Sequence, residues 1–141
     1  MALAAAQVVD ALAALVNAHA AVAGRVKTSR TWPWAEDQLP AVRVFVADEV
    51  AEQVTLEGIH AHRAAVEVQY TARATADLDD ALHALAAAGL ALLFAGTPPY
   101  GLSLSGITRE TATEGEAAVG RITLQLQTLF HVAPSAPETI L

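Results

Sequence analysis

The sequence predicts an α+β fold, a mainly antiparallel sheet with two helices packed on one face. Three observations point to it. Residues 41–47, 60–73 and 118–132 alternate apolar and polar side chains with period two, as strands with one wet face do. Residues 2–23 and the region around 78–93 instead repeat apolar side chains every three or four positions among alanines, as amphipathic helices do. The order helix, strands, helix, strands favours segregated layers of helix and sheet. The 141 residues suit one domain, assigned to residues 1–133, with an extended tail over residues 134–141 that starts at Pro134.

Leu3, Val8, Val9, Leu12, Leu15, Val16, His19 and Val22 form the stripe of the first helix, with Gly24 expected to end it. A short strand over residues 25–30 should follow, then a loop over residues 31–39 that holds both tryptophans. Pro40 lacks an N–H and fits only the first position of the next strand, where Val42, Val44 and Val46 share one face and Arg43 and Phe45 the other. Asp48 and Glu49 break the alternation, so residues 49–59 are expected to be a hairpin connection or a mobile loop. From His60 onward, Ala64, Val66, Val68 and Tyr70 continue one face of a long strand. Thr75 or Asp77 can cap the second helix, and Asp79 and Asp80 complement its dipole. Two strands are predicted after the Gly96-Thr97-Pro98-Pro99 break: residues 101–109 and, beyond an acidic turn at 111–117, residues 118–132. In the latter Ile122, Leu124, Leu126 and Phe130 face the core.

Composition narrows the function classes. A net charge of −7 and a pI near 5.0 argue against a dedicated nucleic-acid binder. The chain has no cysteine, which removes disulfides, thiolate metal sites and cysteine nucleophiles. Asp10, Asn17 and His19 interrupt the Ala-rich opening, so neither a cleaved signal nor a membrane span is expected there.

His60 and His62 lie two apart on one strand face, but no motif connects them to a third ligand, so strand-surface histidines are the expected reading. The acidic pairs Glu36-Asp37, Asp48-Glu49 and Asp79-Asp80 fall in loops and at a helix start, where solvation accounts for them. The sequence has no phosphate loop, nucleophile elbow or metal-binding helix motif. No catalytic residue, metal or cofactor is therefore expected. Trp32 and Trp34 flank Pro33 and read either as an interface anchor or as packing against the sheet edge. Arg25, Lys27 and Arg30 face only Asp10 within residues 1–35 of an otherwise acidic chain. They read as a solvated strand face or as a basic surface for DNA or an acidic partner once copies assemble. Asp48, Glu49, Glu52 and Glu57 fall in the segment expected to be ordered by a neighbour.

The Arg30/Pro33/Glu36/Asp37 loop, the Leu39-Pro40-Ala41-Val42 strand entry, the strand Ala64-Ala-Val-Glu-Val-Gln-Tyr and the Asp77-Leu-Asp helix start resemble the tail terminator proteins of long-tailed bacteriophages. The resemblance covers most of the chain by order of elements. It does not extend to the alanine content of the first helix, the Trp-Pro-Trp segment or the proline-bearing C-terminus. It implies a non-enzymatic subunit of a hexameric ring that caps the tail tube, stops its polymerisation and offers the surface for joining the head. The implied partners are further copies of the chain, the tail-tube protein and a head-completion protein, in the host cytoplasm during assembly and then in the virion tail. In such a ring Arg25, Lys27 and Arg30 are expected to line the lumen and meet DNA non-specifically. Alternatives are a head–tail joining or tail-tube component or, from a different class, a small ligand-binding module or enzyme.

Overall fold

The computed structural model describes residues 3–28, 34–114 and 117–141. Its elements run α1 (Ala4–Val16), β1 (Val26–Lys27), β2 (Ala41–Gln53), β3 (His60–Arg73), α2 (Leu78–Leu93), β4 (Gly101–Glu114) and β5 (Ala117–Val132), with a 3₁₀ turn at Glu36–Gln38. The five strands form one sheet in the order β1-β2-β3-β5-β4. Every pairing is antiparallel except β1 with β2, which is parallel. The predicted α+β class is the one observed.

Cross-strand register explains the core. Val44 lies opposite Val68 and Val68 opposite Leu124, while Tyr70 sits between Val42 and Ile122. These residues are fully or almost fully buried and pack with Val8, Leu12 and Val16 of α1 and Leu82, Leu85 and Leu93 of α2 in one cluster. Both helices therefore bury their stripes on the same face of the sheet. Small residues bring α2 close: the ring of Tyr70 lies under Gly89, and Leu78 covers Gly120.

Four boundaries differ from expectation. The first helix ends at Val16 rather than near Gly24, because Asn17 takes the C-cap and its Oδ1 accepts the Gly24 N–H at 2.9 Å. Gly24, at φ 76°, closes the following turns, which return Val22 to the core. The second difference is at residues 48–53, which form no loop but continue β2 opposite residues 60–65, past a bulge at Ala47. The turn is confined to the end of that hairpin: Val54 donates to the Ile59 carbonyl at 2.9 Å, and Gly58 takes φ 91°. Third, β4 runs on to Glu114 instead of ending at 109, since its backbone stays paired with β5 throughout. Lastly, the tail folds back instead of extending. Ala4 donates to the Pro137 carbonyl at 3.1 Å, Leu141 to that of His131 at 2.8 Å, and Ile140 packs on the core.

Candidate functional site: sheet edges, a projecting hairpin and an apolar groove

The bulge at Ala47 sets the character of the β2–β3 hairpin. An unbroken strand would keep Val46, Asp48 and Val50 on the helix-bearing face, but one extra residue moves Asp48, Val50 and Glu52 to the opposite face and brings Glu49 over. Glu49 Oε2 then lies 2.7 Å from His62 Nδ1, and the His62 ring stacks on Phe130 with centroids 5.4 Å apart. His60 meets His62 edge-on at 6.4 Å. These contacts engage the histidine pair in packing, and among the described residues no three His, Asp or Glu side chains gather as a metal site would require.

Beyond the bulge, every residue of 47–54 is exposed. Glu52 reaches Arg63 at only 3.8 Å with both side chains about two-thirds in solvent, a contact worth little. Asp48, Glu49, Glu52 and Glu57 thus share one acidic hairpin. It also bears three exposed apolar side chains: Val50, Val54 and Leu56, the last fully open to solvent at 102%. Nothing in the sequence pattern marks these three, since the bulge that aims Val50 outward leaves the local composition polar and non-periodic.

Within the basic segment, Lys27 is engaged inside the protomer. Lys27 and Arg43 are cross-strand neighbours on the sheet face opposite the helices, and both address the Trp34 ring, Lys27 Nζ at 4.3 Å and Arg43 Cζ at 5.4 Å from its centroid. Trp34 is buried with Leu39, Ala41 and Val119 in a second small cluster. It plugs one end of that face within the protomer and is not an exposed interface anchor. Arg25 is half-buried, and its carbonyl accepts the Val42 N–H at 3.0 Å. Arg30 and Trp32 lie outside the described residues.

An apolar groove of about 440 Å³ runs between α1 and the segment after α2, lined by Val8, Ala11, Leu15, Leu93, Pro98 and Tyr100. Burial raises the Tyr100 phenol above its ordinary pKa. The Tyr70 hydroxyl is wholly enclosed, and burial pushes it up to about 12. Among the described residues no helix is long and apolar enough to cross a membrane.

Among the described residues, two stretches of strand edge also lack a neighbouring strand. β4 has β5 on one side and no described strand on the other. Past Arg43, the outer edge of β2 likewise has no described strand beside it. No protein-family model and no curated protein sequence matches the chain.

Proposed function

We propose that this chain is a structural subunit of a phage or prophage tail that assembles head to tail into a ring, caps the tail tube and offers the surface for joining the head. The observation that carries the reading is the pair of strand edges on one sheet with no described strand beside them, together with an exposed apolar hairpin. Exposed edges are templates for pairing with another chain, and two different edges on one protomer suit a heterologous contact that closes when the rotation permits. The order of elements also agrees with the resemblance to tail terminators, from which the hexameric state is taken. Tail-tube protein and a head-completion protein are the partners this role requires.

Native mass measurement, alone and with tail tubes, tests the reading. A ring-sized species and tubes capped at one end are expected, whereas a strict monomer under both conditions together with uncapped tubes refutes it. A second reading, a small ligand-binding module, has one observation in its favour: the groove containing the half-buried Tyr100 phenol. Saturable binding of apolar small molecules there, without assembly, would favour it.

A further inference from the structure

We infer that the contact between copies is a continuation of the sheet, with the β4 edge of one protomer pairing with the distal β2 edge, residues 48–53, of the next. The inference rests on the reading that the chain assembles with itself, and it names the surfaces. β4 is 14 residues long, and its stretch from Gly101 to Thr108 has neither a charge nor a proline. Charge and proline are two of the features that ordinarily guard an edge strand; a bulge is a third. One bulge, at Ser105, interrupts it, and there the Ser105 hydroxyl donates back to the Gln125 carbonyl at 2.9 Å.

Charge selects the partner edge. Two β2 edges laid together would set Asp48, Glu49 and Glu52 of one copy against the same three acids of the other, and like charges directly opposed destabilise a ladder. Against the Gly101–Thr108 stretch of β4 the acids meet no charge; the charges begin only beyond it, with Arg109, which donates to His83 Nε2 at 3.1 Å, and Glu110, which lies 3.5 Å from Arg121. Pairing of two β4 edges avoids repulsion as well, but it leaves Val50, Val54 and Leu56 in water.

The contact is large enough to matter. A six-residue overlap supplies about six inter-chain backbone bonds, within the range of a specific interface. Val50 within the overlap, and Val54 and Leu56 beside it, add apolar surface for the neighbour to cover. A contact between different edges leaves one free edge of each kind at the ends, so it propagates until it closes.

The absence of native cysteine makes a cross-linking test clean. Val50→Cys protein is mixed with Ser103→Cys protein and, separately, with Thr108→Cys protein, each mixture then being treated with a short bismaleimide. Val50, Ser103 and Thr108 all lie on the sheet face away from the helices. The expected result is a cross-linked dimer in at least one mixture, several-fold above any variant alone. Cross-linking of Val50→Cys protein alone, or of either β4 variant alone, overturns the inference in favour of like edges. An assembly detected by native mass without any mixed cross-link also overturns it, while leaving the ring reading in place. A strict monomer with and without tail tubes overturns both. Mixed cross-links on a protein that leaves tubes uncapped keep the edge contact and refute the terminator role.

Discussion

Replacing Gly89 by alanine tests how closely α2 seats on the sheet. A Cβ at this position overlaps the Tyr70 hydroxyl and lies 2.9 Å from Cζ and 3.0 Å from Cε2 of the same ring. The ring cannot swing aside, because Tyr70 is fully buried between Val42 and Ile122 in the register of the sheet. Alanine improves helix propensity by about 1 kcal/mol, whereas overpacking a closed core costs about 1–3 kcal/mol. With three atoms of one side chain in conflict the overpacking term sits at its upper end, so Gly89→Ala should destabilise by about 1–2 kcal/mol. Urea titration followed by far-UV circular dichroism measures this as a lower midpoint at unchanged slope. Adding Tyr70→Phe removes the atom that clashes most and should recover at least half of the loss. A Gly89→Ala midpoint at or above that of the unmodified protein refutes the packing of α2 on Tyr70.

The Tyr70 hydroxyl has no hydrogen-bond partner among the described residues, and its raised pKa makes stability depend on alkaline pH. The unfolded state loses the proton first, so the contribution is complete below pH 10.0 and is lost as pH rises toward about 12, on the order of 2 kcal/mol. Tyr70→Phe should abolish that slope in a pH series of urea midpoints. Lys27→Glu should cost about 1 kcal/mol by removing the cation from Trp34, whereas Arg25→Glu should stay within about 0.5 kcal/mol; equal effects in urea titration would contradict the placement of Lys27. Gly120→Ala sets a Cβ 2.6 Å from Leu78 Cδ2, so a loss of about 1–2 kcal/mol is expected, relieved by Leu78→Ala if the first turn of α2 rests there. In hydrogen exchange of the isolated protomer, the amides of residues 48–53 that donate to β3 should exchange slowly. Uniformly fast exchange from residue 48 to 58 would restore the mobile loop that the sequence suggests.

The layered α+β class and most of the core were legible in the sequence, because burial on one face imposes a period that composition records. Val42, Val44, Val66, Val68, Tyr70, Ile122, Leu124 and Leu126 all lie where alternation puts them. Pro40 stands just before β2 as its missing N–H demands. A hairpin was one of two readings for this segment, but its extent was not legible, since residues 48–53 are held by backbone pairing to β3 with both faces wet, and a strand without a buried face leaves no period to read. The outward aim of Val50, the Glu49–His62 contact and the parallel β1 pairing follow from a one-residue insertion and from neighbours distant in sequence. The same is true of Lys27, where alternation in a short basic segment could not reveal that Trp34 returns to lie beneath its ammonium. Local pattern determined which residues are inside; only the tertiary structure decided which surfaces remain open, because an edge or a groove is defined by what other segments fail to cover.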